Sequence, residues 1–167
     1  PETLTSLYLG SKNRFLDERV QINGDVFYYR YGAQQQSVQT GTFLGAGLFQ
    51  ISASPARIFG AELEALFQPT TADQFGLNAS YIDGYYVDKP AIFQTGVIQN
   101  HLPGVIPITV APTYSHTFSL PGGETLVFRA EGIYHSPYDA SSVPQQYASL
   151  AQYPHVGGQV VGAHITV

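Results

Sequence analysis

Hydrophobic and polar residues alternate along most of this chain. In residues 19–31, Val20, Ile22, Gly24, Val26 and Tyr28 fall on one side of an extended strand and Gln21, Asn23 and Asp25 on the other, because successive side chains point to opposite faces. The run predicts a strand with one apolar face and one wet face. A soluble sandwich alternates too, but closes its strands within about 5 or 6 residues, whereas this run reaches the roughly 9 to 11 that a tilted strand needs to cross a bilayer. Its far end carries Phe27, Tyr28, Tyr29 and Tyr31, which reads as the aromatic girdle of a membrane barrel.

The same alternation recurs. In residues 4–15, Leu7, Leu9 and Phe15 oppose Tyr8, Gly10, Lys12 and Arg14, and the polar residues 16–19 turn the chain into a hairpin with the strand above. Residues 32–39 extend that strand with glutamines, and residues 40–49, rich in Gly and Phe, read as a long loop. In residues 58–68, Ala61, Leu63, Ala65 and Phe67 oppose Gly60, Glu62 and Glu64; in residues 74–86, Phe75, Leu77, Ala79 and Tyr81 oppose Gln74, Gly76, Asn78 and Ser80. A short turn around Pro69 joins these two. Residues 87–107, punctuated by Pro90, Gly96, Pro103, Gly104 and Pro107, read as an irregular excursion. Two more strands follow, with Tyr114, His116 and Phe118 against Thr113, Ser115 and Thr117, then Leu126, Phe128 and Ala130 against Val127, Arg129 and Glu131, around a tight Gly122-Gly123 turn. Residues 136–154 form a third long loop before a last strand at 158–167.

Short and long connections therefore alternate, as they do between the two rims of a transmembrane barrel. The expected fold is all-β, with about seven antiparallel up-and-down strands forming an arc of a transmembrane β-barrel across residues 1–167. On that arc Val20, Ile22, Leu63, Phe67, Leu77 and Phe128 face lipid.

Composition supports the same picture. Only 11% of the 167 residues are charged, against about 25% in a typical soluble domain, so a fully solvated surface is hard to build. No run approaches the roughly 18 apolar residues of a membrane helix, so contact with a bilayer falls to strands. A net charge of −5 without any Lys/Arg cluster argues against nucleic acid. The absence of cysteine excludes disulfides and thiolate metal sites within the chain, and its first residues do not have the pattern of a secretory signal.

Little in the chain points to catalysis. Glu62 and Glu64 share a strand face and invite an acid/base reading, but no histidine accompanies them in sequence, and they read as solvated residues of a wet interior. His101, His116, His135, His155 and His164 lie on different elements without metal-ligand spacing, and no Gly-x-Ser-x-Gly turn is present. Neither an enzyme nor a cofactor is expected. If a ligand is held, the long loops hold it, with Phe43, Phe49, Tyr85, Tyr86, Phe93, Tyr138, Tyr147 and Tyr153 as stacking surfaces and Asn100 or Gln145 as hydrogen-bonding groups. Packing within the loops is the competing role for these rings.

Pro1-Glu2-Thr3-Leu4-Thr5 leading to Gly10-x-Lys12-x-x-Phe15, the hairpin into Phe27-Tyr28-Tyr29, Gly60-Ala61-Glu62-Leu63-Glu64 and Ala111-Pro112-x-Tyr114 stand in an order that resembles the C-terminal barrel portion of TonB-dependent outer-membrane receptors. The resemblance covers most of the chain. It implies an outer-membrane location and a share in the wall and vestibule of a transporter for siderophore-like or other scarce nutrients, with TonB as partner through an N-terminal region. Nothing here resembles the plug, the TonB-contacting box or the closing aromatic strand, and Tyr8 stands where such receptors usually have Glu. Seven strands about 4.8 Å apart give an arc of only about 34 Å, so the open edges are expected to pair with the rest of a receptor or with further copies. The alternative is a structural protein that assembles through those edges into a multi-chain barrel, tube or fibre.

Overall fold

The computed structural model describes residues 2–43, 46–88, 101–138 and 156–166, and of these the side chains of 2–33, 35, 54–88 and 101–138. The strands are β1 (Leu4–Phe15), β2 (Val20–Phe43), β3 (Ala46–Phe67), β4 (Asp73–Tyr86), β5 (Ile108–Ser119), β6 (Thr125–Tyr138) and β7 (Val156–Thr166), and the described residues contain no helix. Six antiparallel pairings join them in sequence order into one open sheet, with β1 and β7 at its edges.

Residues 40–43 and 46–49, expected within a long loop, belong to β2 and β3 instead. The β2–β3 pairing runs on from Tyr31↔Ala56 to Phe43↔Ala46, with register shifts between Tyr31 and Gln34 and between Gln39 and Gly41. The aromatic and β-branched residues Val38, Thr42, Phe43, Phe49 and Ile51 favour extended backbone, and the partner strand satisfies the main-chain groups that a loop would leave to water. At 24 residues, β2 reaches about 80 Å, far beyond the length that pairs with β1. The strand ends elsewhere also differ from expectation: β6 continues to Tyr138, and the last strand occupies Val156–Thr166.

Register fixes the two faces, since residues directly opposed across a ladder share one. Tyr8, Lys12, Asn23, Asp25, Glu62, Glu64, Asn78, Ser80, Thr109, Thr113, Arg129 and Glu131 lie on the polar face. Leu7, Leu9, Val20, Ile22, Val26, Leu63, Leu77, Val110 and Phe128 lie on the other. A cavity of about 480 Å³ reaches from Lys12 on β1 to Thr109 on β5, so the sheet curls around its polar face.

Pro112 has no N–H to donate, and the β5–β6 ladder skips from Val110↔Tyr134 to Thr113↔Glu131 around it. The buried core among the described residues is small: Ala56, Tyr86 and Leu102, flanked by Tyr31, Ile58 and Val105. It sits at the long-connection end of the polar face, where residues 101–107 fold back as a strap. The Leu102 N–H donates to the Gly84 carbonyl at 2.8 Å, and the Ile82 N–H to the Pro107 carbonyl at 2.9 Å.

Candidate functional site

The apolar face is a belt bounded by two rows of rings. At the short-turn end Phe67 and Phe75 stand 6.2 Å apart, Phe75 and Tyr114 4.8 Å, and Tyr114 and Phe128 6.4 Å between ring centroids, continuing the row of Phe15 and Val20. Toward the other end come Tyr28, Phe59, Tyr81 and Tyr134, with Phe59 and Tyr81 6.0 Å apart. Between the rows the face carries no ionisable side chain on β1 to β6. Its two polar residues, both on the edge strand β1, satisfy one another: Asn13 Nδ2 donates to Ser11 Oγ at 2.9 Å.

No described residue covers the belt. Leu7 and Leu9 are 66% and 73% exposed, and Ile22, Leu63 and Phe67 stay about 40% exposed inside the sheet. A soluble sheet buries such a face against a second layer. Val20, Ile22, Leu63, Phe67, Leu77 and Phe128, the residues expected to meet lipid, all lie on this face.

The girdle expected from Phe27, Tyr28, Tyr29 and Tyr31 is divided by strand alternation. Tyr28 is on the apolar face, while Phe27, Tyr29 and Tyr31 point to the polar one, where Phe27 and Tyr29 stack at 5.1 Å. Phe27 lies over Gly60, in space that any side chain there would occupy. Consecutive aromatics cannot share a strand face, so a run of them always serves two surfaces.

On the polar face the charges are mixed. Asn23 Nδ2 donates to Glu64 Oε2 at 2.7 Å, and Lys12 faces Asn23 across the β1–β2 ladder. Asp25 stands directly opposite Glu62, an arrangement of like charges that destabilises a ladder unless water or a counter-charge screens it. This surface is built to be wet, and no group of three or more potential metal ligands occurs among the described residues.

The residues expected to hold a ligand do not form one site. Tyr85 and Tyr86 fall on opposite faces, and Tyr86 is buried beside Leu102, where burial raises its phenol to about 12. Tyr138 borders a cavity of about 170 Å³ with His101, Leu102 and Pro107. The side chains of Phe43 and Phe49, and residues Phe93, Asn100, Gln145, Tyr147 and Tyr153, lie outside those described.

At the short-turn rim, one row beyond Phe75 and level with Phe128, Asp73 gathers the hydroxyl of Thr70 (2.7 Å), the phenol of Tyr114 (2.9 Å) and Nδ1 of His116 (2.7 Å). Hydrogen bonds from Thr70, His116 and Tyr114, in that order, hold its carboxyl down to about 2. This cluster fastens the 68–72 turn to β5, an arrangement that sequence separation hid. The signal that did exist was the polar pair Asp73 and His116 alternating with the rings Phe75, Tyr114 and Phe118 on β4 and β5.

Comparison of the chain with family models, curated proteins and solved structures finds no match.

Proposed function

We propose that this chain is part of the wall of an outer-membrane β-barrel transporter of the TonB-dependent kind, with the apolar belt against lipid and the polar face toward the lumen. The observation that carries the membrane reading is the belt: a sheet face that no described residue covers, without charge between its two rows of aromatic rings. The sequence resemblance supports the transporter class. In this reading the long β2–β3 hairpin and the 101–107 strap form part of the vestibule that admits siderophore-like or other scarce nutrients.

The open edges favour a second reading, a structural protein assembled from several copies. Strand direction weighs against it. Six reversals separate β1 from β7, so both edges run the same way, and copies arranged in a ring would meet through a parallel seam, whereas barrel walls are antiparallel throughout. Antiparallel strands from elsewhere in a transporter fit both edges.

The chain contains no Trp, so one introduced ring serves as reporter. In lipid vesicles, Leu63→Trp should be quenched by bromine-labelled acyl chains and Ser80→Trp by aqueous iodide. Iodide quenching of Leu63→Trp without bromolipid quenching would overturn the wall reading.

A further inference from the structure

Beyond the upper ring row the apolar face turns cationic. Thr5 stands opposite Arg30, Arg30 opposite Arg57, and Arg57 opposite Tyr85, so four side chains bearing hydrogen-bond donors form one row across β1 to β4. Directly opposed residues hold their Cβ atoms about 4.5 to 5.5 Å apart, which brings both guanidinium groups within reach of one tetrahedral anion. Like charges placed this way repel, yet neither arginine has an ion pair among the described residues. The nearest carboxylate on this face, Asp83, lies one row closer to the belt and contacts His101 Nδ1 at 3.3 Å. Arg57 is half-buried, and its Nε is shielded from solvent without a hydrogen-bond partner. A shielded donor with no acceptor is costly, and although Arg30 is exposed, two like charges directly opposed across a ladder destabilise it. Both features call for an anion at the same place.

Depth identifies the anion's source. Arg30 lies ten residues beyond Val20 of the lower ring row, about 34 Å along the strand and about 26 Å along the membrane normal at a tilt of roughly 40°. The apolar band of such barrels is about 25 Å tall, so the row falls at head-group level in the leaflet on the long-connection side. A phosphate monoester there carries up to two negative charges and matches the fork of donors on a guanidinium.

We infer that the Thr5-Arg30-Arg57-Tyr85 row binds the phosphate monoester of a lipid head group on the outer wall of the barrel, a site that rests on the membrane-wall reading above. The probe is lipid A, a phosphorylated glycolipid, mixed into phosphatidylcholine vesicles holding the full chain, with bound lipid counted by native mass spectrometry. Arg30→Gln and Arg57→Gln should each weaken retention about fivefold and together about thirtyfold, while Arg19→Gln in the short turn leaves it unchanged. Every variant also carries Leu63→Trp, so bilayer contact is read independently. Unchanged lipid A retention in the double variant, with Leu63→Trp still quenched by bromolipid, overturns the site and leaves the wall reading standing; loss of that quenching in the otherwise native chain overturns both. Equal retention of dephosphorylated lipid A overturns the phosphate assignment, and displacement by equimolar inorganic phosphate overturns the lipid as its source.

Discussion

Leu102 rests on Gly84. A carbon added to Gly84 would lie 3.0 Å from Leu102 Cδ1 and 3.3 Å from Val105 Cγ2, so the strap closes onto β4 at a position where the sheet has no side chain. Its seat is completed by Ala56 and Tyr86, the other fully buried apolar residues of this cluster. Gly84→Val should therefore lift the strap, and the Leu102 amide, now bonded to the Gly84 carbonyl, should lose hydrogen-exchange protection while Ala79 in mid-strand keeps its own. Leu102→Ala, which empties the seat without a clash, should weaken closure by about 2 kcal/mol. Unaltered exchange at Leu102 in both variants would show that the main-chain bonds alone hold the strap.

Two of the short turns solve the same problem with different residues. Leu16, Asp17 and Glu18 hold φ of 53°, 52° and 67°, a left-handed run without glycine, whereas the 120–124 turn uses Gly122 at 109° and Gly123 at 90°. The left-handed region costs a residue with a Cβ about 1 to 2 kcal/mol, least for Asp. Leu16→Gly should accordingly raise stability by about 0.5 to 1 kcal/mol after the added freedom of the unfolded chain is subtracted, and Gly122→Ala should lower it by about 1 to 2 kcal/mol. Denaturant midpoints moving in the same direction for both would contradict these backbone conformations.

Alternation made the strands and their faces legible, because a two-residue period depends only on side-chain direction and survives any register. Leu63 against Glu64 and Leu77 against Asn78 are assigned correctly by that rule alone. The strand character of residues 40–43 and 46–49 was not legible: Gly41 and Gly47 look like loop punctuation until a partner strand is present to pair with them. The lower ring row escaped for another reason. Phe15, Phe67, Phe75 and Tyr114 are isolated in sequence and become neighbours only through four separate ladders. The Arg30–Arg57 pair was hidden the same way, whereas the Phe27–Tyr31 run stands out in the sequence although alternation divides it between two faces.

Asp73 gives the fold an acid-sensitive fastening. Its partners Thr70, His116 and Tyr114 favour the ionised carboxylate and lower its titration from 3.8 to about 2. A group held below its unfolded value stabilises the native state above that value and loses the contribution as pH falls through its folded value. The loss should run from about 3.8 down to about 2, and Asp73→Asn should remove it. The stability gap between the native chain and the variant should close across that window. A gap that persists below the lower limit would mean that the carboxylate's charge is not what fastens the turn.

The belt makes a prediction that depends on depth and face together. Val20 lies in the lower ring row, Ile22 one row further in, and Leu63, opposite Gly24, at mid-belt. Arginine on the lipid face of a barrel costs about 2 to 4 kcal/mol at the midplane and about 0 to 1 near the interfaces. Leu63→Arg should thus destabilise most, Ile22→Arg less and Val20→Arg least, measured by unfolding in lipid vesicles. Glu62 adjoins Leu63 in sequence at the same depth but points to the wet face, directly opposite Asp25. Glu62→Arg replaces a like-charge pair by an opposite one and should stabilise by about 0.2 to 1 kcal/mol. If Leu63→Arg and Glu62→Arg shifted stability equally, or the three apolar-face variants showed no order with depth, the sheet would not be standing in a bilayer.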